Sequence, residues 1–335
     1  MSSHIITQEE LNQLIDRLAQ DKVVYAPVKD KEGGVWRPIK NSAEIYLDEV
    51  NTREPAKILV FPRGELMFEF QPTGVKEPRE PEEQVVFGLR PCDARAIAFL
   101  RKFFTEEGKI DSYVQRRAGK SVFIGLACNK VAPTCFCVAV GGGPAQTQGL
   151  DLLLTKLDGK FLAEPLTARG EELVAEFPQA NETDLAEKEK IIARVSEEIK
   201  TRIDTQELKK KLDNGFDHPV WEKLSFPCIN CGACTFLCPT CHCFDVTDET
   251  SGAQALRIRI WDSCQFALYS RHASGHNPRL NPSARYRNRI MDKFKYTVEM
   301  VGEISCVGCG RCIAVCPAGI DIRETVACLL GVDKE

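Results

Sequence analysis

Two cysteine runs with one shared spacing limit what this chain can fold into. Cys228, Cys231, Cys234, Cys238 and Pro239 read C-x2-C-x2-C-x3-C-P, and Cys306, Cys309, Cys312, Cys316 and Pro317 repeat the pattern. This is the spacing of bacterial two-cluster ferredoxins. Two-residue gaps let the backbone curl around a cubane so that three thiolates point inward. The fourth points towards the neighbouring cluster, and the proline redirects the chain. By that logic Cys228, Cys231, Cys234 and Cys316 hold one [4Fe–4S] cluster, and Cys306, Cys309, Cys312 and Cys238 hold a second. Glycines at 232, 308 and 310 let backbone approach inorganic sulfide closely. Zinc sites normally take four ligands in two pairs, and neither run has that form.

The runs belong to a total of sixteen cysteines, twelve of them after residue 227. The opening, MSSHIITQEELNQLID, has no apolar stretch behind a basic one, so it predicts no export signal and a cytoplasmic location. Thiols in that compartment stay reduced, which favours metal ligation over a disulfide framework. The 335 residues are 43% apolar and 27% charged, as in a soluble globular protein. No apolar stretch is long enough for a membrane span. A formal net charge of −4 does not imply nucleic-acid binding by the whole chain.

The pattern of elements predicts an α+β protein: an irregular α/β domain over 1–178, a connecting amphipathic helix over 179–215, and a ferredoxin-like two-cluster domain with a long insertion over 216–335. Strands are expected at 23–28, 57–61, 65–70, 84–89 and 121–126, where Val, Ile and Phe gather between turn residues. Thr7 and Glu10 are spaced as a capping box. Asp93 is placed to N-cap a helix through ARAIAFLRKFF. LLLTKLDGKFLAE reads as a hairpin turning at Asp158-Gly159. In the connector, Ile192, Val195, Ile199 and Ile203 recur at helical spacing, and Leu208 and Leu212 follow after a slip near Asp204-Thr205. That stripe suits packing against the chain's own domains or against a partner helix.

Between the runs lie 67 residues containing Cys241, Cys243 and Cys264. Residues 271–295 within them carry seven Arg or Lys against one acid, Asp292. Each oxidised cubane with four thiolates carries about −2, so a basic cover would favour cluster binding, or the segment would dock a partner. Aromatic interleaving is too thin for a nucleic-acid patch. In the first half, Cys92 and Cys128 each follow a predicted strand, at the sheet edge where ligands usually bind. Cys135 and Cys137 lie just beyond. A helix N-terminus beside Cys92 would favour an anionic centre. These four thiols make a third [4Fe–4S] site; a zinc site of four cysteines and inert buried thiols are the alternatives.

RPCDARA, ACNKVAPTCFC, CINCGACTFLCPTCHCFD, WDSCQF, GHNPR and CVGCGRCIAVCPAGIDI together resemble two related kinds of iron–sulfur subunit. One is the A subunit of anaerobic sulfite reductase. The other is the beta subunit of cytoplasmic sulfhydrogenase-type NiFe hydrogenase. The resemblance implies an electron-transfer subunit without catalytic residues of its own. Its partners would be a flavoprotein subunit that handles NAD(P)H through FAD and a catalytic redox subunit, in an oxidoreductase complex of an anaerobe. A rival from another class is a stand-alone oxidoreductase that uses Cys241, Cys243 or Cys264 in thiol–disulfide chemistry beside a cluster.

Overall fold

A computed structural model describes residues 2–106, 110–252 and 254–331; the outer ends of the first and last expected domains, Met1 and 332–335, lie outside them. Its strands are β1 (His4–Thr7), β2 (Val23–Asp30), β3 (Gly33–Ile39), β4 (Gly64–Gln71), β5 (Gly74–Lys76) and β6 (Gln84–Leu89), then β7 (Ser121–Leu126), β8 (Leu152–Lys156), β9 (Lys160–Pro165), β10 (Phe244–Ser251) and β11 (Gln254–Trp261). They form a seven-stranded sheet, ordered β1-β9-β8-β7-β6-β2-β3, and a four-stranded sheet, β10-β11-β4-β5.

The chain divides into two compact units. The first comprises 1–56, 81–202 and 307–310; the second comprises 57–80, 203–306 and 311–335. The two units thus interleave along the chain. The segment 57–80 joins the second unit because β4 pairs antiparallel with β11, with Arg259 opposite Glu65. Such long-range pairing leaves no local sequence trace.

In the first unit, β2, β6, β7 and β8 are parallel, and β3, β9 and β1 add antiparallel edges. QVVFGL and SVFIGL are buried on both faces, as central parallel strands require. Ile6, Ile15, Val85, Ile124, Leu152 and Phe161 share one core. Thr7 caps Gln8–Asp21 through the expected box, and β8–β9 is the expected hairpin, with Gly159 at φ +72°.

Two local expectations fail. The helix Pro91–Phe103 starts at Arg90, not Asp93, because Pro91 presets the first-turn dihedral; Asp93 lies buried inside the first turn. Residues 57–61 are not a strand. Ala56–Leu59 forms a single 3-10 turn between Pro55 and Pro62, and the Val60 and Phe61 amides donate back to the Lys57 carbonyl at 3.1 and 2.7 Å.

The connector is two helices, Glu182–Glu198 and Thr205–Asn214, capped by Asn181 and Asp204. Val195 and Ile199 are buried in the first unit, Leu208 and Leu212 in the second. In the second unit, Arg259 and Glu65 form a buried ion pair between opposed strand residues, with the guanidinium against the Phe61 and Phe244 rings.

Candidate metal centres

A cavity of about 530 Å³, counting its mouth, lies in the second unit. Cys228, Cys231, Cys234 and Cys316 line it together with Cys312, so the fourth cysteine of the second run meets the first three of the first. Each wall has a local cause. The Cys228 amide donates to Ser225 O, closing the helix Val220–Ser225 just before the run. The short helix Ala233–Phe236 then carries Cys234 inward. Cys231 is the one exposed thiol of the sixteen.

The basic segment separates by burial. Arg285, Arg289 and Lys293 recur every four residues along Pro282–Met291 and the π-helical turn Asp292–Tyr296, and all three are buried. Arg289 lines the cavity, with its Nε and Nη2 buried and without a hydrogen-bond partner. Lys293 Nζ donates to Cys238 Sγ at 3.2 Å and to Thr240 Oγ1 at 3.3 Å. Arg285 Nε instead donates to Asn230 Oδ1 at 3.3 Å, bracing the loop between Cys228 and Cys231.

A further buried cation comes from the 3-10 turn: Lys57 donates to the Cys241 carbonyl at 2.8 Å, with its ammonium 4.1 Å from the Trp261 ring centroid. Burial lowers Lys57 to about 8, against the pull of the neighbouring Cys241 and Cys238 thiols. Burying cations is costly without an anionic partner. A cluster carrying about −2 with sulfide acceptors supplies that partner, so these residues fit the group. Arg289 and Lys293 therefore act as cover for the thiol sites, while Arg285 holds the loop around them. Their stride of four was legible in the sequence; the burial of Lys57 was signalled only by a lysine inside the run AKILVF.

Beyond the Phe244–Trp261 pair, the Asp262 amide donates to the Cys243 carbonyl at 3.0 Å, extending the β10–β11 ladder. This brings Cys243 and Cys264 to the base of the hairpin. The hydrogen bond from the Cys264 thiol lowers Cys243 to about 6, and the Tyr269 hydroxyl also bonds to Cys243. Cys238 and Cys241 form a second close pair, in which the bond from Cys241 holds Cys238 low.

In the first unit, Cys92 stands in the first turn of Pro91–Phe103, directly after β6, and Cys128 follows the adjacent parallel strand β7. The Cys128 amide donates to Pro144 O at 2.8 Å. Cys128, Cys135 and Cys137 lie close enough to affect one another, and burial pushes Cys128 up to about 11 and Cys137 up to about 12. Cys92 packs with Ala96, Val307 and Cys309. Asn51, which sequence reasoning passed over, lies 3.8 Å from Cys92 Sγ through Oδ1 and donates to the Cys309 carbonyl at 3.0 Å.

The loop Val307–Gly310 thus packs beside the first-half thiols. The Phe136 amide donates to Gly308 O at 2.8 Å. A Cβ on Gly308, at φ +66°, would sit 2.5 Å from Cys137 Cα, and one on Gly310 would strike the Thr134 carbonyl. These glycines are required by the meeting of two protein loops, beyond any approach to sulfide. Among the described residues, no three His, Cys, Asp or Glu side chains close on a single ion. A cubane asks for a wider spread, since each thiolate binds its own iron.

Residues 227–320 match the family model of the 4Fe-4S dicluster domain. Over 319 residues the chain is 32% identical to sulfhydrogenase 2 subunit beta of Pyrococcus furiosus, covering 93% of this chain and 94% of the relative. The chain belongs to the sulfhydrogenase beta-subunit family. In this family member the match extends well beyond the dicluster domain and takes in the α/β unit that carries Cys92, Cys128, Cys135 and Cys137. It is an iron–sulfur, electron-transfer subunit with [4Fe–4S] clusters. No described helix is long and apolar enough to cross a membrane.

Proposed function

We propose that the chain relays electrons through three [4Fe–4S] clusters between a flavoprotein subunit that handles NAD(P)H through FAD and a catalytic redox subunit, of hydrogenase or sulfite-reductase type, in a cytoplasmic complex of an anaerobe. Cys228, Cys231, Cys234 and Cys316 hold one cluster. Cys306, Cys309, Cys312 and Cys238 hold the second, with Lys293 favouring the Cys238 thiolate. Cys92, Cys128, Cys135 and Cys137 hold the third. Bound clusters would supply one-electron transfer; the chain's residues ligate, neutralise charge and exclude water.

One observation supports the reading: the loop bearing Cys309 packs on Cys92 and on residues 134–137, so Cys92 and Cys137 lie beside a cysteine of the second run. Anaerobic affinity purification from the native cell tests it. A flavoprotein and a catalytic redox subunit are expected to co-purify, and the isolated chain is expected to bind no flavin and not to oxidise NAD(P)H. A flavin bound to the isolated chain, with its own NAD(P)H oxidation, would overturn the relay.

The Cys243–Cys264 contact favours a second reading, thiol–disulfide chemistry with Cys243 attacking and Cys264 resolving. It predicts reduction of a small disulfide by the isolated, pre-reduced chain. Loss of that activity in Cys264→Ser would separate it from the relay.

A further inference from the structure

The relay needs a face where a redox protein can approach a cluster. We infer that the surface around Cys231 is that face, and that its occupant is a redox partner protein presenting a carboxylate-rich rim to the thiol cavity. This inference rests on the relay reading above.

The first observation is exposure. Cys231 is exposed and lines the cavity. Beside it in the chain, Phe226 is 91% exposed and Ile229 is 66% exposed. From the following loop, Leu268 is 69% exposed and Leu280 is 77% exposed. Large apolar side chains clustered at a surface commonly mark an interaction site.

The second observation ties Ile229, which lines the cavity, and Leu280 to one opening. Gln265 lines the cavity and donates to Arg285 O at 2.9 Å. Arg285 Nη1 donates to the carbonyls of Arg279 and Leu280 at 3.1 and 2.8 Å, and its Nε to Asn230. Leu280 is therefore tied, through one guanidinium, to the residue preceding Cys231. The loop between is ordered from within: Asn277 Nδ2 donates to Ala267 O at 2.6 Å, and the Arg271 amide to Leu268 O at 3.0 Å.

The third observation identifies the occupant. No residue in 223–244, 263–291 or 311–320 is Asp or Glu, and these segments supply every residue that lines the cavity except Ile322. Over the same segments the cations include Lys223, Arg271, Arg279 and Arg287, the last beside the exposed Asp217, while Asp321, between the lining Ile320 and Ile322, is paired with Arg323. Arg271 is exposed, as are the neighbouring His272 and His276. An apolar centre whose rim carries an excess of cations complements an acidic partner; opposite rims steer encounter and set its salt dependence. A second copy of this chain would meet like charge on the same face.

The test uses the holo-protein, oxidised and anaerobic, and follows cluster bleaching in a stopped-flow mixer. The probes are a pre-reduced acidic flavodoxin, standing in for the partner, and photoreduced deazaflavin, a small donor that needs no docking face. Reduction by flavodoxin is expected to slow at least about tenfold between low and high salt. At low salt, Arg271→Glu with Arg279→Glu is expected to slow it about tenfold, and Leu268→Ser with Leu280→Ser by a similar factor, with deazaflavin rates unchanged. The serine pair keeps the test decisive where the charge reversals disturb the loop. A salt-independent wild-type rate, or wild-type rates in both variants, would overturn the inference. So would a concentration-dependent dimer in sedimentation that Leu280→Ser abolishes, which would assign the face to self-association. If deazaflavin itself fails to bleach the wild-type chain, the relay reading fails and takes this face with it.

Discussion

The double substitution Cys135→Ser with Cys137→Ser is expected to lower the iron content from about twelve to about eight per chain, leaving two clusters spectroscopically intact. Cys137 faces Cys128 and Cys135, and burial holds Cys128 and Cys137 well above the ordinary thiol range. Such thiols give up their protons only to a strongly bound metal, so the site depends on several acting together. With two removed, Cys128 and Cys92 cannot hold a cubane. The fold should persist, because these cysteines lie outside the core shared by Ile6, Val85, Ile124 and Leu152. Unchanged far-ultraviolet circular dichroism with a third of the iron gone is the expected result. Unchanged iron in the folded variant would mean that these thiols are structural only.

Stripping the clusters with a chelator in air is expected to unfold much of the second unit while the seven-stranded sheet survives. The second unit buries cations beside its thiols as well as apolar residues, and Lys57, Arg289 and Lys293 would lose their anionic partner when iron leaves. Structural metal contributes on the order of 10 kcal/mol in small zinc folds. That is comparable to the whole stability of an ordinary domain. Limited proteolysis read by mass spectrometry should find the first cuts within 216–243 and 262–306. Strands β6, β7 and β8 should stay protected for longer, since their apolar core involves no metal. Simultaneous cleavage of both units would contradict this.

The sequence carried the site further than the fold. Cysteine spacing is local, so the two runs could be read directly, and Cys316 does line the cavity of Cys228, Cys231 and Cys234. Parallel strands such as SVFIGL announce themselves by continuous burial. Pairings between distant segments do not. β4 joins β11 across nearly two hundred residues, and for that reason 57–80 belongs with the cysteine runs. Val307–Gly310 crosses the other way, where Gly308 is pressed against Cys137. Basic charge in 271–295 was plain, yet its division between buried Arg289 and Lys293 and exposed Arg271 follows from helix phase and a loop course that composition does not encode.

Anaerobic coulometric titration of the fully reconstituted wild-type chain tests the central claim most directly, because it counts the centres that accept electrons. Each [4Fe–4S] cluster takes one electron, so the account predicts uptake of about three per chain with reversible bleaching of the visible absorbance. Uptake of about two, with the four first-half thiols open to alkylation, would contradict it.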